Sequence, residues 1–240
     1  MLQKSLKRVY LNELLIRLSF FILAFVIVSV WFNDGLLIGG GEEGFAIFNN
    51  RSVVSQISLW QESGTGYLMP AYITRLVPAL FVKALLYLNF SITQTQAIFF
   101  FSLIYTGLIG FYLLTLEILK DSKNVKIISF FSTLFYFFNL YSQSQIFGRF
   151  LYSAMALWSL TPIFLYLFIR WMEAAKIRWL VCLIATSTVY SLAFSQPAHV
   201  FALLLPPLLW TFIKVFRSPE KRIYLAKRFL LQFLFGSSLV

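Results

Sequence analysis

The chain has 240 residues, of which 60% are hydrophobic and only 12% charged, with a mean hydropathy of +0.80. A soluble domain carries about 25% charged residues, so this composition points to an integral membrane protein. The net charge of +11 does not indicate a nucleic-acid binder. The lysines and arginines lie in short stretches beside apolar runs, and no basic surface stands clear of them.

A single cysteine, Cys182, rules out an intrachain disulfide and a thiolate metal cluster. The 28 Phe, 12 Tyr and 6 Trp suit a lipid-facing bundle with aromatic anchors at its interfaces.

Lys4, Lys7 and Arg8 precede an apolar run from about 15 to 32. This resembles a signal peptide, but the run is too long and no small-residue cleavage pattern follows. It reads as an uncleaved first span over about 12–32. Arg17, near its cytoplasmic end, can snorkel.

The polar stretch NDGLLIGGGEEGFAIFNNRSVVSQISLWQESGTGYLMPAY follows, residues 33–72. It holds four of the nine acidic residues: Asp34, Glu42, Glu43 and Glu62. Loops this long are usually functional or disordered, and Phe45, Phe48, Trp60 and Tyr67 argue for order. Val53, Val54, Ile57 and Trp60 recur at helical spacing, with Asn50, Arg51, Ser55 and Gln56 on the other face. The spacing predicts a short surface helix that Gly64 and Gly66 end.

In ITRLVPALFVKALLYLNFS, residues 73–91, an apolar face of Ile73, Leu76, Val77, Leu80, Phe81, Ala84, Leu85 and Leu88 is predicted. Lys83 near the middle costs about 3 kcal/mol in a lipid-exposed span. The segment therefore reads as an amphipathic helix lying in the interface.

Further spans are predicted at about 94–118, 127–143, 150–170, 179–196 and 199–214. A seventh begins at Phe229 and stops after about 12 of the roughly 20 residues a crossing needs. The expectation is of a single transmembrane domain from the N-terminal part of a longer protein.

Charge tests this topology. With the N-terminus in the cytoplasm, only Arg51, Arg75, Lys83 and Arg149 lie outside, and the other sixteen basic residues lie inside. If 73–91 crossed, the clusters at Lys120–Lys126 and Arg170–Arg178 would change sides, against the positive-inside rule. The fold class expected is an all-α polytopic protein of the plasma membrane, with a long extracytoplasmic loop over 33–93 carrying interfacial helices.

The loop holds the chemistry-bearing residues. Glu42 and Glu43 follow Gly39-Gly40-Gly41, whose freedom permits a sharp turn and close approach to a ligand. Such a carboxylate is placed to act as general base on a sugar hydroxyl; the bland alternative is a solvated pair on a flexible loop. Asp34 either contacts substrate or caps the turn after Asn33. The triple glycine is not a phosphate loop of the nucleotide-binding kind, because no Lys-Ser/Thr pair follows it.

Arg149 at an outer mouth suits a lipid phosphate or serves as a headgroup anchor; Arg75 and Lys83 share that ambiguity. His199, the only histidine, lies in SQPAHV where Gln196 and Pro197 mark a turn. It either joins the site or is a satisfied interfacial side chain. A divalent metal shared by His199 and the loop carboxylates stays open, since one histidine and one acidic pair are too few to assign it.

GGGEEGF after the first span, an amphipathic stretch ending near Trp60, PALFVKALLYLNFS, TQAIFFFSLIYTGLIGFYLL and LFYFFNLYSQ together form a familiar pattern. The chain resembles the GT-C superfamily of membrane glycosyltransferases, within it the large arabinofuranosyltransferase-D-like and YfhO-like proteins. The resemblance implies a polyprenyl-phosphate-linked sugar donor, a glycan or lipid acceptor, and an acidic catalytic base in the first extracytoplasmic loop. Glu43 matches that base best, with Glu42 beside it, where the family has aspartate. Asp34, Arg149, His199 and Trp60 become substrate-binding candidates. The sequence lacks a proline near position 140 that the family often shows, and the expectation of an N-terminal part places the family's soluble C-terminal domain beyond these residues.

Two other classes compete. A lipid-glycan transporter or flippase places charges within its spans, whereas spans two to six have almost none in their middles. A non-catalytic membrane subunit would use the loop to bind a partner.

Overall fold

The computed structural model describes residues 2–35, 60–61, 67–68, 74–149 and 151–217. These are almost wholly helical: α1 (Leu2–Trp31), α2 (Leu76–Tyr87), α3 (Ile92–Ile118), α4 (Val125–Phe138), α5 (Tyr152–Ala174), α6 (Ile177–Val189) and α7 (Pro197–Arg217). A π-helical turn at Ser142–Phe147 follows α4, and a 3-10 turn at Ser191–Phe194 follows α6. Four helices have stretches long and apolar enough to cross a membrane: Glu13–Trp31, Ile92–Ile118, Tyr152–Ala174 and Pro197–Phe216.

The pair α3 and α5, which run parallel, forms the centre. Gly107 and Gly110 of α3 face α5 so closely that a Cβ at Gly110 would lie 2.9 Å from both the backbone nitrogen and the Cβ of Ile163. Small residues let helix backbones approach in this way. At Gly107 the space is filled by the indole of Trp158. That ring is fixed on every side. It stacks on Tyr136 with centroids 4.7 Å apart, and Tyr136 stacks on Phe111 at 4.3 Å. Its Nε1 donates to Ser142 Oγ at 3.1 Å, and Tyr136 OH donates to the Trp158 carbonyl at 2.7 Å. One aromatic column thus ties α3, α4 and α5 into a unit. Phe20 of α1 joins it from the side, against Tyr112 and Phe130.

Three expectations change. The predicted span 127–143 is α-helical only to Phe138. Asn139 ends it: the residue turns extended at ψ 154, and its amide donates to the Tyr136 carbonyl at 2.6 Å and to Ser142 Oγ at 3.0 Å. Such side-chain bonds compete with the helical ladder. At 14 residues α4 is about 21 Å long, short of a hydrocarbon core about 30 Å thick. The predicted span 179–196 likewise stops as an α-helix at Val189, after 13 residues, and tightens into the 3-10 turn.

The third change concerns Trp60, expected to end a surface helix. It lies instead in a two-residue strand, β1 (Trp60–Gln61), antiparallel to β2 (Tyr67–Leu68) with Gln61 opposite Tyr67. The five residues between them in sequence, Glu-Ser-Gly-Thr-Gly, are turn formers that favour a hairpin. The remainder of that predicted surface helix, before Trp60, lies outside the described residues.

Helix α2 lies across one end of the bundle. Its entry is tied down where Ser191 Oγ donates to the Thr74 carbonyl at 2.6 Å. Its exit passes through Asn89 at φ 64 into α3, which starts with a capping box between Ser91 and Gln94. Both termini sit at the same end, so at 12 residues, about 18 Å, α2 does not cross. The face against the bundle is narrow and made of small residues. Pro78, Ala79 and Val82 are buried, while Leu80 and Leu88 are exposed. In a lipid environment the large apolar side chains can face outward, and the small ones take the protein contact.

Candidate functional site

The two ends of the bundle differ in chemistry. All six ion pairs among the described residues lie at one end. Glu117 at the end of α3 accepts from Arg170 of α5 at 3.0 Å and from Lys120 at 3.3 Å. Glu173 holds Lys120 and Lys214, each at 3.3 Å. Glu13 of α1 holds Arg17 at 2.8 Å and Lys126 at 3.7 Å. Lys120 titrates above the ordinary lysine value, chiefly through its bond to Glu173. The start of α1, the ends of α3, α5 and α7, and the start of α4 therefore share one side, as the charge pattern requires.

The opposite end gathers the residues that frame the polar stretch. Thr93 Oγ1 donates to the Gly35 carbonyl at 3.2 Å, and Trp31 packs on Phe147 with centroids 5.9 Å apart. Just below, Gln96 donates to Tyr152 OH at 2.9 Å in a fully buried pair. The stretch 36–73 leaves the described bundle at Gly35 and re-enters at Thr74, and both points are fixed at this end.

Glu42 and Glu43 lie outside the described residues, and so does the side chain of Trp60. Asp34 is exposed, three residues beyond Trp31, and takes a bond of 3.4 Å from Asn33. A backbone turn follows it: Gly35 is at φ 67, with its N–H on the Phe32 carbonyl. Arg149 is exposed, two residues beyond Phe147, so the Trp31–Phe147 contact brings both segments to one place. No ion pair joins Asp34 to Arg149. His199 is half-buried in the first turn of α7, which starts at Pro197 as the turn signal predicts. Asp34, Arg149 and His199 thus share an end of the bundle. Among the described residues no three His, Cys, Asp or Glu gather as a metal would need.

Residues that the sequence reading passed over shape a cleft at this end. It has a volume of about 190 Å³ and runs beneath α2, between α3, α5 and the α6–3-10 junction. Val77, Pro78 and Phe81 roof it, and Phe99, Leu103 and Leu192 wall it. Two polar residues line it, Ser102 and Tyr190. Tyr190 OH meets Thr106 Oγ1 at 2.5 Å, so its polarity is turned toward α3. Thr95 Oγ1, on the same half of α3, is buried with no partner among the described residues. The signal for these residues was hydroxyl and amide side chains inside an apolar run, which in a membrane serve either helix packing or function.

No family model matches the chain, and neither a curated protein nor a solved structure matches it.

Proposed function

We propose that the chain is a membrane glycosyltransferase that moves a sugar from a polyprenyl-phosphate-linked donor to a glycan or lipid acceptor. The observation that carries this reading is the apolar cleft beneath α2, at the end where the polar stretch 36–73 is anchored. Its volume is below the roughly 300 Å³ of a small-molecule pocket. It fits a stretch of hydrocarbon chain, with the polar head left at the rim. A lipid-borne donor has that division.

In the proposed reaction the acceptor hydroxyl loses its proton to Glu43, with Glu42 as the neighbouring alternative. The acceptor oxygen attacks the anomeric carbon with inversion. The carbon–oxygen bond to the lipid phosphate breaks, and the phosphate leaves with the electron pair. Arg149 or His199 stabilises that departing charge, because developing charge needs a placed donor or cation. The positive-inside rule assigns the ion-paired end to the cytoplasm and the cleft to the outer side.

The described spanning helices carry their charged side chains only near the ion-paired end. An alternating-access carrier uses charges at mid-membrane, so this distribution favours an enzyme.

The deciding experiment measures transfer from a polyprenyl-phosphate sugar by Glu43→Gln and Glu42→Gln. A rate loss of at least about 100-fold in one of them is expected from removal of a general base. Unimpaired transfer in both removes the proposed base.

A further inference from the structure

The ion-paired end carries more positive charge than its carboxylates hold. Glu13, Glu117 and Glu173 each have two cations already. Lys176 and Arg178, at the corner between α5 and α6, are exposed and form no ion pair among the described residues. Ala175 makes the corner at φ 59 as the C-cap of α5, with its N–H on the Trp171 carbonyl.

The neighbouring Trp179 fixes the geometry. Arg170 and Arg178 both lie over its indole, each with the guanidinium carbon 5.0 Å from the ring centroid. Arg170 is tied to Glu117 at 3.0 Å, so Arg178 alone is left to face outward. Its planar fork matches a phosphate. On α7, Lys214 lies 5.3 Å from the ring of Trp210 in a similar arrangement. Tryptophans capped by basic side chains at one end of an apolar bundle mark the depth of lipid headgroups.

We propose that the α5–α6 corner, formed by Lys176, Arg178 and Trp179, binds the phosphate headgroup of an anionic phospholipid. The occupant follows from charge complementarity and from depth: two unneutralised cations stand beside an indole at the border of the apolar surface. Basic groups at such a surface favour anionic lipid. The inference rests on the membrane part of the reading above and not on sugar transfer, so it is tested without an activity assay.

The test uses the full chain, delipidated in detergent and mixed with phosphatidylglycerol or phosphatidylcholine. Lipid retention is read by native mass spectrometry. Wild type is expected to retain phosphatidylglycerol preferentially, and Lys176→Gln/Arg178→Gln to lose about tenfold of that preference. Lys123→Gln, at the turn between α3 and α4, should keep it. Thermal unfolding in phosphatidylcholine should match wild type for the double variant. If the double variant unfolds early, Arg178→Gln alone is compared with Arg178→Lys, which keeps the charge and should regain much of the retention. Equal retention of the two lipids overturns the proposal, as does an undiminished preference in a folded variant. Competition by millimolar inorganic phosphate would show a site for free anion and would also overturn it. Capture of an acidic protein with no lipid preference would do the same.

Discussion

At the residue scale, single atoms decide how closely α3 and α5 approach. Gly107 faces an indole that is stacked, hydrogen-bonded and 6% exposed, so it has nowhere to move. Gly107→Ala should cost about 2 kcal/mol through overpacking, seen as a lower unfolding temperature in detergent. Glu117 matters in a different way. Its side chain is 11% exposed and holds two cations. Glu117→Gln should cost about 2 kcal/mol, the usual value for a lost charged hydrogen bond, and 1 M salt should not abolish the difference because the Arg170 pair is half-buried. Lys120 sets a pH limit. Its folded value is raised above 10.5, so the stability it contributes is fully present below that pH. It is lost as pH rises through the raised folded value. Lys120→Gln should therefore be less stable than wild type at neutral pH, with the gap narrowing above pH 10.5.

At the element scale, α2 shows both what could be read in advance and what could not. Lys83 and the short apolar run were enough to deny α2 a crossing, and charge placement agreed. Which side of α2 faces the bundle was not legible. Periodicity finds a stripe of large apolar residues, but lipid accepts those residues as readily as protein does. The buried side fell to Pro78, Ala79 and Val82, chosen by closeness of approach. Asn139 is a second case. Inside an apolar run it looked like a span interior, yet its amide bonds to Ser142 and to two carbonyls and stops α4. Asn139→Leu should remove this stop. Circular dichroism should gain helix while unfolding comes earlier, since Ser142 would lose a partner inside a buried network.

At the scale of the whole molecule, what was legible is which helix ends lie together, because lysine and arginine cluster at one set of them. The contacts of Glu13, Glu117 and Glu173 join the same ends that the charge count grouped. Asp34, Arg149 and His199 were placed together on the opposite side by that logic. The cleft was not foreseen. Val77, Phe99 and Leu192 are distant in sequence and apolar, and no motif announces their meeting. If the cleft holds donor lipid, Leu103→Trp should fill it and raise the KM for a polyprenyl-phosphate sugar about tenfold with a smaller change in kcat. An equal KM in a folded variant would separate the cleft from donor binding.

The glycine seat on α3 also governs where the protein can breathe. A helix pair locked through Trp158 and Ile163 cannot slide, while α1 and α7 are only 17% buried in their spanning windows. Loosening must then begin at the flanks. In deuterated buffer, with the protein in micelles, amides of α3 and α5 should exchange last and those of α7 early. Slow exchange in α7 matching that of α3 would mean that the central spine is not what limits opening.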